Sequence, residues 1–399
     1  MTASREGYVL LIVLHTFLLT VRNAWVIFFY DASAVGAFTL AQSVVAMISL
    51  MHFGLISGAY RQYASATEGE RRAVDATTQI GLVIIVAASL LVFLPAVVYS
   101  GSNGFWMQTL LSISIGLACL VSAWANNKLI AQGRLYLSAA TMILGTTLSL
   151  VIVVLTEDIL LTIASLAIHP ILTILVAPRA RIFDMSKDFP HIGAQLIVMC
   201  KLGLGVYLAT ALTIAGLHVD RFLVAVNLGE SMLGEYAFPI FILTTTSVLI
   251  TALNNFYYPK IMSVADQGDG REALNYVLKK YQNVLYFFGA MACIAILTAF
   301  YAINATGYYL EEKYRITLYI IPAILVFFSY ERYSMEMLAK KQQYGLLIFP
   351  ALVLLIFMVL VTFSVALIDL SISGILAFKV VAIFLAYIIF RLVRGRSGT

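Results

Sequence analysis

The sequence predicts an all-α polytopic membrane protein, about twelve transmembrane helices in two pseudo-symmetric six-helix lobes around a central cavity. Three observations carry this. The 399 residues are 62% hydrophobic and 11% charged, with a mean hydropathy of +0.96, whereas roughly a quarter of a soluble domain is charged. Apolar runs of bilayer-crossing length, about 20 residues, recur from Gly7 to Phe390. The two halves of the chain also repeat one another.

The first run, 7–30, follows Arg5 and continues through Arg22 to Tyr30 without a small-residue cleavage site. It therefore reads as a span and not as a signal peptide. The others fall at 35–60, 77–99, 106–130, 136–155, 159–177, 196–219, 233–258, 282–303, 316–338, 346–367 and 372–390. The segments between them are short and hold the charges and turn residues, so no soluble domain is interposed. Lys and Arg alternate between successive connections. Arg61, Arg71 and Arg72, then Arg134, then Arg179, Arg181 and Lys187 occupy every second one, and the same holds for Lys260, Arg271, Lys279, Lys280, Lys340 and Lys341. The opposite loops (DASA, SGSNGF, TED, NATGYYLEEKYR and IDLS) contain only Lys313 and Arg315. Positive charge marks the cytoplasmic side, which places both termini there. The net charge of +5 follows the membrane and gives no sign of nucleic-acid binding.

Shifted by 198 residues, VRNAWVIFFYDASAVGAFTLAQSVVAMISLMHFGLISGAYRQYAS lies without a gap over VDRFLVAVNLGESMLGEYAFPIFILTTTSVLITALNNFYYPKIMS. Ser33 meets Ser231, Gly36 meets Gly234 and Tyr60 meets Tyr258, while Arg22 and Asn23 fall on Asp220 and Arg221. Two parallel six-span repeats follow, related by an axis along the membrane normal. Their boundary lies in RARIFDMSKDFPHIGA, giving lobes 1–194 and 195–399.

Ionisable side chains deep in a span cost about 2.5–3.5 kcal/mol on insertion scales and usually face a bundle interior or a wet cavity. Arg22 lies some fifteen residues into the first span, about 22 Å at helical rise. Asp220 and Arg221 are near the end of the seventh. Glu331, Arg332 and Glu336 occupy the tenth and Lys379 the twelfth. Lys128 and Lys201 sit about one turn from a cytoplasmic end, where a long side chain can also snorkel. Arg332 and Glu336, four residues apart, suit an intrahelical pair as well as a cavity position. The matching height of Arg22 and Arg221 in the two repeats favours a cavity role for both. A pocket lined by Arg22, Arg221, Lys128, Arg332 and Lys379 suits an anion, phosphate above all. Asp220, Glu331 and Glu336 are the candidates for an ion-coupling or counter-ion role.

Catalytic signatures are missing from the sequence. It has no Gly-rich phosphate loop with its Lys, no His-Glu-x-x-His among the five histidines, and no Gly-x-Ser-x-Gly elbow. Cys119, Cys200 and Cys293 each lie within an apolar run and read as small core residues. No cofactor or metal is expected, and transport is expected in place of chemistry.

AVGAFTLAQSVVAMISLMHFGLISGAYRQYAS resembles the second-span signature of bacterial polysaccharide exporters, a Val-Gly-aromatic start and a polar-dotted helix ending in a basic residue. HVDRFLVAVNLGESMLGEYAFPIFILTTTSVLITALNNFYYPKI resembles its second-half counterpart, with Asp-Arg, Gly-x-Tyr and Pro-Lys in order. The likeness is to Wzx-type O-antigen flippases of the multidrug/oligosaccharidyl-lipid/polysaccharide (MOP) exporter superfamily. The resemblance implies V-shaped lobes alternating in access in a bacterial inner membrane. The substrate it implies is an undecaprenyl-pyrophosphate-linked oligosaccharide moved to the periplasmic leaflet. It further implies a proton or sodium gradient as driving force, a polysaccharide polymerase and a chain-length regulator as partners, and a cavity role for Arg22 and Arg221, with Lys128, Arg332 and Lys379 beside them. Two other readings remain. A multidrug/cation antiporter of the same superfamily would favour acidic and aromatic cavity residues, and an integral-membrane glycan polymerase or acyltransferase would need larger outer loops.

Overall fold

A computed structural model describes residues 5–102, 106–176, 192–266, 270–305, 318, 320–339, 348, 350–360 and 372–397. The loops bearing Arg179, Arg181, Lys187, Lys313, Arg315, Lys340 and Lys341 lie outside the described residues. Within them the chain is helical apart from short connecting turns, without a strand. An α-helix satisfies its own backbone hydrogen bonds, as a lipid-facing segment must.

The helices are α1 (Arg5–Phe29), α2 (Ala32–Ser49), α3 (Leu55–Ser65), α4 (Glu68–Ser102), α5 (Trp106–Ala131), α6 (Leu135–Leu155), α7 (Ile159–Ser165), α8 (Ile168–Val176), α9 (Ile192–Leu228), α10 (Glu230–Asp266), α11 (Gly270–Ala305), α12 (Ile320–Ala339), α13 (Pro350–Leu360) and α14 (Ile372–Ser397). In its described residues every expected span falls on one or two of them. Eight segments among the described residues are long and apolar enough to cross a membrane. Polar side chains supply the starts. Asp31 accepts from the Ala34 amide at 2.8 Å, Glu70 reaches back to the Thr67 amide at 2.8 Å, and Asp158 accepts from the amides of Leu160 and Leu161.

Two expected spans are broken helices. The run 35–60, which reads as continuous in the sequence, divides into α2 and α3 at Phe53 and Gly54, whose φ values are 46° and 85°. Gly54 is required there on two counts. Its backbone is left-handed, and a Cβ would lie 2.9 Å from the backbone of Cys200, Gly203 and Leu204. The run 159–177 divides likewise into α7 and α8, just before Pro170.

Contacts group the chain into two compact units, residues 1–30 with 37–214, and residues 31–36 with 215–399. This seam runs through α9, whereas the six-plus-six division at 194 is a statement about sequence halves. In the first unit α1 packs along α6, α8 packs on α5 and α6, and a buried core gathers Ile48, Leu55, Leu82, Leu120, Trp124 and Met199. In the second, α10, α11 and α12 pack together, with α14 against α12. The second unit also holds the first turn of α2 against the first turn of α10. A Cβ on Gly36 would fall 1.9 Å from the carbonyl oxygen of Glu230, and one on Gly234 would fall 1.8 Å from that of Ala32. The 198-residue shift converts each of these contacts into the other.

Candidate functional site

In the first unit the depth of Arg22 in α1 leaves its side chain only 6% exposed. Its Nε and Nη2 donate to Asn23 Oδ1 at 3.1 and 2.9 Å, and its Nη1 donates to Ser149 Oγ of α6 at 3.4 Å. Gln42 of α2 donates to the same Asn23 oxygen at 3.3 Å, and Ser149 Oγ lies 2.7 Å from Ser165 Oγ of α7. The guanidinium also sits 6.0 Å from the centre of the Phe38 ring. All of these partners are neutral. Helices α2, α6, α7 and α8 contain no Asp, Glu, Lys or Arg at all. Among the described residues Arg22 is thus a buried cation without a carboxylate to balance it, the situation in which a buried charge is most costly.

The second unit treats its charges differently. Asp220 is 0% exposed, Lys379 1% and Arg221 3%. Lys379 Nζ donates to Asp220 Oδ2 at 2.6 Å and to the Leu217 carbonyl at 2.8 Å, and Tyr236 OH donates to the same carboxylate oxygen. Asp220 Oδ1 is buried and meets no hydrogen-bond partner among the described residues. Arg221 points to the neighbouring helix, where Nη2 donates to Thr244 Oγ1 at 2.9 Å. Asp220 serves α14 and α10, while Arg221 reaches Thr244.

The other sequence candidates divide. Lys128, a candidate for snorkelling, is 3% exposed and bonded to Asp75 of α4, which also accepts from Trp124 Nε1 at 3.0 Å. Lys201 is exposed. Glu331 accepts from Asn254 Nδ2, and the Asn254 carbonyl accepts from Tyr281 OH. Glu336 is buried on the same helix, and the side chain of Arg332 lies outside the described residues. No group of three or more His, Cys, Asp or Glu placed to hold a metal occurs among the described residues.

Sequence reasoning missed Asp75, Tyr236, Asn254 and Tyr281. Asp75 reads as the tail of the basic loop GERRAVD, yet it stands at the head of an apolar run, which was the available signal. Tyr236 belongs to the Gly-x-Tyr motif already singled out. The pairing of Lys379 with Asp220, 159 residues away, has no local signature.

No known family's model matches the chain, and no curated protein matches it. Solved structures do. A multidrug resistance MATE family transporter of the MOP superfamily in an inward-facing conformation is 16% identical with a TM-score of 0.69, covering 96% of this chain and 94% of its own. One in an outward-facing conformation is 15% identical at a TM-score of 0.67, over 98% and 94%. A MATE structure in a bent conformation is 16% identical at 0.66, over 99% and 96%. At these identities the likeness is one of fold, and the fold is the twelve-helix, all-helical one of MATE transporters.

Proposed function

We propose that this chain is a multi-pass membrane transporter working by alternating access, and that its substrate presents an anionic headgroup. The fold likeness to MATE transporters supports transport. Arg22, buried among neutral partners in helices that hold no carboxylate, supports the anion. A guanidinium makes bidentate bonds to phosphate and carboxylate groups, a diphosphate among them. Taken with the sequence resemblance, the substrate is a lipid-linked oligosaccharide crossing to the outer leaflet of a bacterial inner membrane. Arg221 and Lys379 are its further cationic contacts. Asp220, Glu331 and Glu336 are the groups to which a coupling proton or sodium ion is assigned, and a polymerase and chain-length regulator are the partners. Basic connecting loops and both termini face the cytoplasm, and the repeats 1–194 and 195–399 act as the two lobes.

The comparisons favour a second reading, multidrug export, because the structures of like fold are described as multidrug resistance transporters. Cells lacking the gene separate the two. Loss of surface polysaccharide with lipid-linked oligosaccharide accumulating on the cytoplasmic side, both reversed by the gene, is the outcome expected of the flippase. Unchanged glycans together with increased drug susceptibility would replace it with the multidrug exporter.

A further inference from the structure

The histidines lack metal spacing in the sequence, yet the fold brings two of them together inside the first unit. His15 of α1 and His169 of α8 have ring centroids 6.2 Å apart and planes tilted by 42°. His15 Nδ1 lies 3.1 Å from Thr146 Oγ1 of α6. His169 Nε2 is buried and has no hydrogen-bond partner among the described residues, an anomaly that a native interior rarely leaves unexplained. The helices are close here, since a Cβ on Gly145 of α6 would stand 2.5 Å from the Cα of His169.

This pair borders the Arg22 site. Thr146, which holds His15, is three residues from Ser149, which holds Arg22. His169 is four residues from Ser165, the partner of Ser149. The first step is one turn of α6, about 5–6 Å between side chains, and the second crosses the short break between α7 and α8. Among the described side chains of the surrounding elements, no carboxylate is free to balance the cluster. From α1 come Tyr8 and Arg22, with the side chains of Arg5 and Glu6 at its start outside the described residues, from α6 Tyr136, from α8 His169 itself, and from α5 Cys119 and Lys128. Asp75 reaches α5 but is held by Lys128 and Trp124, and Asp158 caps α7 at an exposed end.

We propose that His15 and His169 form a proton-binding site linked to the anion site at Arg22, so that each anion is taken up together with a proton. The inference rests on the anionic-substrate reading. A proton on either imidazole adds a second positive charge near Arg22, and nothing in α2, α6, α7 or α8 offsets it. An anion on Arg22 supplies the missing negative charge. The linkage is reciprocal, so the proton raises anion affinity by the factor by which the anion raises proton affinity.

The probe is inorganic sulfate, a dianion whose charge is constant above about pH 4, so that a pH dependence between about pH 4 and about pH 8 belongs to the protein. Binding is measured on the purified full-length protein. Affinity is expected to rise as pH falls, approaching about tenfold per pH unit where one proton accompanies each anion. In the His15→Gln/His169→Gln variant the slope is expected to vanish while binding persists at about pH 8; His218→Gln is expected to retain it. Calorimetry of the unmodified protein in two buffers of different ionisation heat counts the protons directly, with uptake of about one per sulfate expected. Sulfate binding without proton uptake, or a slope that survives the double substitution, overturns the linkage and leaves the anion reading intact. No sulfate binding at any pH overturns the anion reading, and the linkage falls with it.

Discussion

The Arg22 and Asp220 clusters occupy equivalent positions of the repeat and carry the same net charge in opposite ways. Around Asp220, two cations and one carboxylate leave a single positive charge. Around Arg22 a single guanidinium leaves the same charge, held by an amide, a hydroxyl and a ring face. One arrangement is balanced by its own carboxylate and braced across three helices. The other has its balance missing from the surrounding helices. Burial alone therefore does not mark a binding residue. What distinguishes Arg22 is burial without a counter-charge, and the two clusters should part company when each is cut.

The largest effect is expected at Asp220. Asp220→Ala strands Lys379 in the interior, and breaking a buried pair in this way destabilises by about 3–5 kcal/mol. Thermal unfolding in detergent should show the drop, and Asp220→Leu/Lys379→Met should recover most of it. A double variant as unstable as the single would mean that the pair is not the unit. Next is Tyr236→Phe, which removes one donor to the carboxylate, a loss of about 1.5–3 kcal/mol by the same measurement. Arg22→Gln should behave otherwise. Removing an unbalanced charge offsets the lost hydrogen bonds, so stability changes by about 1 kcal/mol or less while transport is abolished. Large destabilisation with transport retained would make Arg22 a structural residue and erase the contrast. The smallest change belongs to Gln42→Leu, whose 3.3 Å contact reaches Arg22 only through Asn23. About 0.5 kcal/mol or less is expected, with transport near normal.

Much of this architecture is legible in the sequence, because the requirement for about 20 apolar residues per crossing is local and the repeat places Arg22 against Asp220 without any structure. Arg22, Asp220, Arg221 and Lys379 are all visible as charges out of place. Their partners are not. Asp220 is bonded by Lys379 and Tyr236 from two other helices because helix packing, as well as chain proximity, decides which side chains meet. Lys128 invites a snorkelling interpretation until Asp75 is seen to close on it. His15 and His169 are silent in a search for ligand spacing, since their relation is set by α6 lying against both α1 and α8. The break at Phe53 is hidden for a related reason: Gly54 is an ordinary residue of a span by composition, and only the backbone beside it shows why it cannot be larger.

The crossing of Gly36 and Gly234 has one more consequence. Residue 36 rests on 230 and residue 234 rests on 32, so the contact is self-complementary under exchange of the two repeats. That is the defining property of an isologous interface, the kind by which two identical subunits form a two-fold dimer. The meeting of the first turns of α2 and α10 thus has the form of a subunit boundary within a single polypeptide.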